Sequence, residues 1–433
     1  MRPMTQVAAP SGSAARRVAV ASGIGTTIEW YDFFIYGTAA AVVFAPQFFP
    51  QVSEFAGTLL AFGTFGIGFI ARPLGGIVMG HFGDRIGRKS MLVWSLMLMG
   101  ISTFLIGLLP TYAQIGIWAP VLLTTLRFVQ GFALGGEWAG AVLMAVEHAP
   151  AGRRGHYGSF VAMGLPGGII LSNLVFLIVS TSFAPGQFAS HGWRVPFLAS
   201  GVLVAVGLWV RLGVAESPAF AEVQRSQGTS RTPIVDVIRR DAGTVALAAG
   251  SYVGISAIGY VVLVYYVSYA TRQLGVSLPM TLLLLIVAAV ACAFAIYAFG
   301  SRSDRIGRRR IMRWGAAALV VSAGAFFPLI YTGSIPAIAL ALTAMLVVQG
   351  AYIGTQPVMF ADLFPTNVRF SGASMSLQLG AIVAGAPAPF IATALYQLRG
   401  DTLLITVYMV VMALVAFACT MRLTARTTEA LTN

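Results

Sequence analysis

Apolar residues dominate the chain in long runs, and short polar segments interrupt them at a nearly regular interval. A helix needs about 20 apolar residues to cross a bilayer. Twelve runs meet that length: 18–44, 56–82, 90–109, 117–147, 157–183, 194–213, 242–270, 280–300, 314–331, 336–361, 371–397 and 402–421. None shows the period-two alternation of a membrane barrel strand, so each predicts a helix. Residues 1–17 are polar and lack a small-residue cleavage site after a short apolar core, so the first run predicts an uncleaved span.

The pattern repeats. Gly83-Asp84-Arg85-Ile86-Gly87-Arg88-Lys89 recurs as Ser303-Asp304-Arg305-Ile306-Gly307-Arg308-Arg309 at an offset of 220. Gln130-Gly131 recurs as Gln349-Gly350 (offset 219), and Glu147, Pro150 and Arg154 as Asp362, Pro365 and Arg369 (offset 215). Pro166 and Pro387 stand 221 apart and are expected to bend helices 5 and 11. Six spans per half means that both halves enter from the same face, a parallel repeat with a site between the lobes. The expected organisation is an all-α membrane protein of twelve transmembrane helices in two pseudo-symmetric six-helix lobes, 18–213 and 242–421. A tail (1–17), a polar linker (214–241) and a second tail (422–433) complete the chain.

Composition agrees and adds orientation. Of 433 residues 58% are hydrophobic and 9% charged, with a mean hydropathy of +0.83, which excludes both an ordinary soluble enzyme and a disordered chain. The net charge of +13 would suggest nucleic acid in a soluble protein. Here 22 of the 27 cations fall in segments on one side of the expected membrane, and only Arg194, Arg272 and Arg399 on the other. The positive-inside rule then places both termini in the cytoplasm, and no nucleic-acid partner is expected. Cys292 and Cys419 lie in apolar runs, so neither a disulfide framework nor a metal site is expected from them.

Charge inside the bilayer costs at least about 2.5–3.5 kcal/mol per residue, so each occurrence needs a reason. The N-terminal spans carry Glu29, Asp32, Arg72, Arg127 and Glu137 away from their ends; the C-terminal spans carry none. Glu29 and Asp32 lie about 11–14 residues into helix 1, roughly 17–21 Å of rise, near the midplane. Arg127 and Arg72 reach a similar depth, and Glu29, Asp32 and Tyr36 share one helical face, as do Arg127 and Gln130. Three carboxylates facing two guanidiniums leave one acid without a full partner, and burial favours the protonated form of such a group. Asp32, Glu29 and Glu137 are therefore the candidate proton carriers; His81, His148, His156 and His191 fall at helix ends or in loops. Arg127 can grip a substrate carboxylate through two parallel N–H groups, the alternative being permanent pairing with Asp32 or Glu29. Arg72, Tyr36 and Gln130 join it as candidate binding residues, with the alternative that the charges are struts locking helices 1, 2 and 4. In the second half, Tyr252, Ser256 and Tyr260 on one face of helix 7, and Gln349, Tyr352 and Gln356 on one face of helix 10, suit hydroxyl recognition or helix packing. Tyr265, Tyr266 and Tyr269 read as an interfacial belt.

The Asp84-Arg85-x-x-Arg88 and Asp304-Arg305-x-x-Arg308 loops resemble the hallmark of the major facilitator superfamily. Glu29-Trp30-Tyr31-Asp32-Phe33, Ala71-Arg72-Pro73-Leu74-Gly75-Gly76, Arg127-Phe128-x-Gln130-Gly131 through Gly135-Gly136-Glu137-Trp138, and Gly192-Trp193-Arg194-x-Pro196-Phe197 are similar to its metabolite:proton symporter branch, of the shikimate type. The resemblance covers essentially the whole chain. It implies a bacterial inner-membrane carrier that works by alternating access without a cofactor, functions as a monomer and imports a small polar metabolite with protons. An organic acid such as shikimate or a dicarboxylate is the expected substrate. It also implies that the two Asp-Arg loops latch the cytoplasmic side, each Asp near a helix N-terminus of its own lobe. A drug or metabolite exporter and a proline/betaine-type zwitterion symporter are the alternatives. The charged midplane argues against a lipophilic substrate, and 12 residues without heptads after the last span argue against an osmosensing coiled coil. No nucleotide-binding loop supports an ATP-driven pump, no nucleophile or metal constellation at one depth supports an enzyme, and the short tails offer a sensor no output domain.

Overall fold

A computed structural model of the chain describes residues 12–86, 88–136, 141–142, 145–146, 149–150, 152–212, 233–364 and 369–432. Every regular element among them is helical. Six long helices come first: α1 (Gly12–Val42), α2 (Glu54–Ile86), α3 (Arg88–Leu108), α4 (Trp118–Ala133), α5 (Arg154–Ser182) and α6 (Arg194–Leu212). Six more follow: α7 (Pro233–Tyr260, running on to Arg272), α8 (Leu278–Ile306), α9 (Arg308–Tyr331), α10 (Ile335–Leu363), α11 (Ser371–Arg399) and α12 (Leu403–Thr432). By length and composition, nine helices among the described residues can cross a membrane. α1, α3 and α4 are not among them: α1 carries Glu29 and Asp32, α3 has only a shorter apolar stretch, Val93–Leu108, and α4 is described for only 16 residues before a 3-10 turn at Leu134–Gly136.

Packing follows the internal repeat. Within the first six helices α1 packs on α5 and α6, α2 on α4, and α3 on α4 and α6. The same pairs recur six helices later: α7 on α11 and α12, α8 on α10, and α9 on α10 and α12. The lobes meet through α5 against α8 and α10, α2 against α11, and α1 against α7. The apolar stretch of α7 is 83% buried and that of α12 28%, so α7 sits at the centre and α12 at the periphery. Peripheral helices turn large apolar side chains outward, among them Trp94, Val202, Trp209, Trp314 and Val321, as a lipid-facing surface requires.

Close crossings depend on glycine. A Cβ on Gly131 would lie 1.9 Å from the Gly68 carbonyl oxygen, and one on Gly135 2.1 Å from the Arg72 carbonyl oxygen. Gly350 and Gly354 do the same in the second lobe, where a Cβ would come within 2.9 Å of the Cys292 and 2.6 Å of the Ile296 carbonyl oxygen. Helices in hydrocarbon gain little from apolar burial, so backbone approach of this kind carries the α2–α4 and α8–α10 contacts.

Several boundaries differ from the hydropathy reading. The Asp304-Arg305 pair forms the last turn of α8, which stops only at Gly307, and Asp84-Arg85 lies in the last turn of α2. Gly307 has φ +96°, the left-handed region open to glycine, which allows the reversal into α9 within one residue. α7 starts at Pro233, inside the segment read as linker, and bends at Asp241. α12 continues to Thr432, into the segment read as a tail. Near its start, Asp401 accepts hydrogen bonds from the Leu403 amide (3.0 Å) and Arg399 Nε (2.8 Å), which hold its carboxyl below the usual carboxylate range. α5 is interrupted at Met163 just before Pro166, and α11 contains a π turn at Ala381–Gly385 just before Pro387. Tyr265, Tyr266 and Tyr269 do not form a belt: all three are buried, with Tyr265 stacked on Tyr269 and both against Phe327. Sequence hydropathy places a residue by depth, whereas α7 is central at every depth.

Gly131→Ala should destabilise the protein in detergent by about 1–3 kcal/mol, the cost of overpacking, and Gly350→Ala by less, because its new methyl is less crowded. Thermal unfolding of the two variants checks the order.

Candidate functional site

Between the lobes lies a small cavity of about 50 Å³. α1 contributes Trp30 and Phe34, α5 Ala162 and Leu165, α7 Tyr252, Ser256 and Tyr260, and α10 Gln349 and Gln356. No charged side chain lines it. Four buried polar atoms there have no hydrogen-bond partner among the described residues: Trp30 Nε1, Ser256 Oγ, Gln349 Nε2 and Gln356 Nε2. Unmade bonds of this kind cost roughly 1–3 kcal/mol each unless a guest satisfies them. Three of the four are N–H donors, so the cavity favours an acceptor-rich guest. Its size holds a few waters, so a larger guest enters only if the lobes separate.

Five of the six C-terminal candidates therefore line one space: Tyr252, Ser256, Tyr260, Gln349 and Gln356. Tyr352 does not. Its hydroxyl bonds the Ser251 carbonyl and Thr420 Oγ1, both at 2.9 Å, and so ties α10 to α7 and α12 inside the lobe. Although it shares a helical face with Gln349 and Gln356, its backbone and Cβ lie against Gly315 of α9 and its hydroxyl points to α7 and α12.

The charged candidates lie behind this cavity, inside the first lobe. Asp32, Arg127 and Gln130 are each 1% exposed, Glu29 6% and Arg72 9%. The helices bring opposite charges together as expected, yet Asp32 and Arg127 form no ion pair within 4 Å; two neutral side chains connect them. Arg127 Nη1 donates to Gln130 Oε1 (3.2 Å), and Gln130 Nε2 donates to Thr103 Oγ1 (2.6 Å). Thr103 Oγ1 is 3.1 Å from Asp32 Oδ2 and 2.9 Å from the Met99 carbonyl, and its single proton can serve only one of these acceptors. Asp32 Oδ1, Arg127 Nε and Arg127 Nη2 have no hydrogen-bond partner among the described residues. Glu137 lies outside the described residues.

Aromatic rings take up the guanidinium faces. The Arg127 Cζ lies 4.6, 4.2 and 5.0 Å from the ring centroids of Phe33, Tyr36 and Phe65. Arg72 Cζ lies 5.0 Å from Phe33 and 4.7 Å from Phe69. Tyr36 is held in place by donating to Thr64 Oγ1 at 2.7 Å. Desolvated cation–π contacts reach about 2 kcal/mol, enough to matter against the cost of burial. Thr103, Phe33, Phe65 and Phe69 were missed by the charge-based reading. Ser102-Thr103 is a polar pair in an otherwise apolar stretch, and Phe62, Phe65 and Phe69 follow i, i+3, i+7 spacing; both signals were legible.

Both ends of the lobe interface are bridged. At the arginine-rich end Asp304 accepts from the backbone N–H groups of Gly155 (2.8 Å) and His156 (3.1 Å), at the N-terminus of α5. The same end carries Arg154–Asp362 (3.5 Å) and Arg308–Asp362 ion pairs. Asp304 thus caps a helix of the opposite lobe, not of its own, because α8 crosses α5 with Gly155 and Gly300 in close approach. Arg305 is exposed. The side chains of Asp84, Arg85 and Arg88 lie outside the described residues. At the other end Arg272 reaches Glu54 (2.9 Å), Thr58 (2.8 Å) and the Ala41 carbonyl (3.5 Å) across the interface.

The chain matches the family model described as Major Facilitator Superfamily over residues 22–369. It is 42% identical over 390 residues to the shikimate transporter of Escherichia coli (strain K12), with 88% of each chain covered. An inner membrane metabolite transport protein of the same strain is also 42% identical, over 381 residues and 87% of each chain. The fold is similar to that of a solved proton:xylose symporter bound to 6-bromo-6-deoxy-D-glucose, with a TM-score of 0.75, 16% identity and 95% of both chains covered.

Asp304→Ala should weaken the arginine-rich end by about 1 kcal/mol, the worth of an anion at a helix N-terminus. Spin labels on α5 and α8 should then report a larger share of long distances, and Asp304→Asn an intermediate one.

Proposed function

The chain belongs to the major facilitator superfamily, and on that premise we propose that it imports a small organic acid of the shikimate class together with a proton. It is a metabolite transporter and not an enzyme. The observation that carries the finer reading is the buried carboxylate–amide–guanidinium relay, with open positions on Asp32 and Arg127 at its two ends. An acid and a cation that do not neutralise each other directly are each left to take a further partner. Asp32 takes the proton; Arg127, with Arg72 beside it, takes the substrate carboxylate through its free N–H groups. Glu29 is the second acid at that depth, and Glu137 the third by sequence. The donor-rich cavity side chains of α1, α7 and α10 take the substrate hydroxyls. Shikimate, a hydroxylated ring acid, has both kinds of acceptor, and the 42% identical shikimate transporter supports that class.

The positive-inside charge distribution supports cytoplasmic termini, and the bacterial inner membrane is the expected site, with each monomer a working unit. On that orientation Asp304 and Asp362 close the cytoplasmic end and Arg272 the outer end. Alternating access then consists of opening one set of contacts while the other holds. A proline/betaine-type zwitterion symporter is the second reading, favoured by one feature: an open carboxylate and an open guanidinium in one site match the two charges of a zwitterion.

In proteoliposomes the native protein should accumulate shikimate about tenfold per imposed pH unit, acid outside, the limit for one proton per anion. Asp32→Asn should abolish this accumulation and spare counterflow exchange; unchanged pH-driven accumulation in that variant would contradict the role of Asp32. Arg127→Lys keeps the charge and loses the planar fork, so substrate affinity should fall about ten- to a hundredfold. Competition by glycine betaine stronger than by 2-oxoglutarate would favour the second reading.

A further inference from the structure

The ring of Phe33 stands between two regions of different chemistry. Toward the cavity it packs on Trp30 (5.7 Å between centroids), Phe34 (6.0 Å) and Tyr260 (5.5 Å), all of which line that space. Toward the first-lobe interior it packs on Phe65 (4.8 Å) and Phe69 (5.2 Å), and Tyr260 lies 5.7 and 5.2 Å from the same two rings. Four aromatic rings thus form one layer that separates the neutral cavity from the guanidiniums. Among the described residues, Phe33 is the one ring that touches both Arg72 and Arg127. The charged and titratable groups around it are Glu29, Asp32 and Tyr36 of α1, Arg72 of α2, Arg127 of α4, and Tyr252 and Tyr260 of α7.

The layer creates a problem for transport. A carboxylate in the cavity meets only neutral groups, and the guanidinium N–H groups that would bind it lie on the far side of the rings. We propose that Phe33 is the positioning residue that couples the two compartments: its ring holds both guanidiniums while the cavity is empty and gives way when a substrate carboxylate takes their N–H groups. Arg127 then exchanges a ring face for a bidentate partner. Its bond to Gln130 is disturbed, and with it the Gln130–Thr103 contact, so that the Thr103 hydroxyl changes what it offers to Asp32. Substrate arrival is in this way reported to the proton site without contact between substrate and Asp32. The role rests on the coupled-import reading given above.

The test uses the full-length protein in proteoliposomes, with shikimate as probe, or 2-oxoglutarate if that is the acid the native protein carries. Phe33→Leu keeps apolar bulk and removes the π face; Phe33→Tyr keeps the face. Phe33→Leu should retain counterflow exchange while accumulation under a pH gradient falls about tenfold, the scale of a cation–π contact in a desolvated site. Phe33→Tyr should retain both. The proposal is overturned if Phe33→Leu accumulates the acid to the native ratio. Equal loss of counterflow and accumulation, the mark of a purely structural role, overturns it too, as does a Phe33→Tyr protein that exchanges but does not accumulate. Asp32→Asn in the same vesicles separates the failures: if that variant still accumulates, the coupling reading has failed. If it uncouples and Phe33→Leu does not, only the role of Phe33 has failed.

Discussion

A guanidinium in the middle of hydrocarbon must be stabilised by what surrounds it, because it has given up most of its hydration there. Direct pairing with a carboxylate would settle the matter and also end its usefulness, since a neutralised pair has little left to offer a ligand. The first lobe takes another course. Among the described residues Arg127 rests against three rings, spends one N–H on Gln130, and is linked to Asp32 through Gln130 and Thr103. The cation stays buried and keeps open donors, and the acid keeps an open oxygen. Removing one member of such a network changes what the others can do, because its members polarise and orient one another.

The division of labour between the lobes follows from the same constraint. Both lobes repeat the same helix pairings and the same glycine crossings, so as frameworks they are equivalent. Chemically they are not: buried charge is concentrated in α1, α2 and α4, whereas α7 and α10 present amides and hydroxyls. The space between them is lined by neutral side chains, and the charged network stands on one side of it behind the layer of Phe33, Phe65, Phe69 and Tyr260. The described contacts at both ends of the interface, Asp304 and Asp362 at one and Arg272 at the other, are partly exposed. Each is therefore weak enough to break in turn, since exposed ion pairs contribute about 0–1 kcal/mol.

Helix number, the repeat and the burial of Glu29, Asp32, Arg72 and Arg127 were legible in the sequence because each rests on a strong local signal: apolar run length, a motif recurring at one offset, and charge where hydrocarbon forbids it. Tyr252, Ser256 and Tyr260 were legible for a similar reason, since helical spacing alone puts them on one face. Tyr352 was not, because spacing gives a face and not what that face meets; its hydroxyl found Ser251 and Thr420. The tyrosines near the end of α7 misled in the same way, as depth says nothing about whether a helix is central. Asp304 capping α5 of the other lobe depends on how two helices cross, which no stretch of sequence encodes by itself. The relay through Thr103 was missed although Ser102-Thr103 stands out as polar, because a threonine in an apolar helix usually bonds its own backbone, and the Met99 carbonyl, 2.9 Å away, offers it that alternative here.

The most direct test of coupled import is proton flux measured together with substrate flux in weakly buffered proteoliposomes, without an imposed gradient. Shikimate added outside should carry protons inward with it, one for each molecule taken up, and alkalinise the medium in proportion. Uptake at the same rate with no accompanying change in external pH would contradict the account.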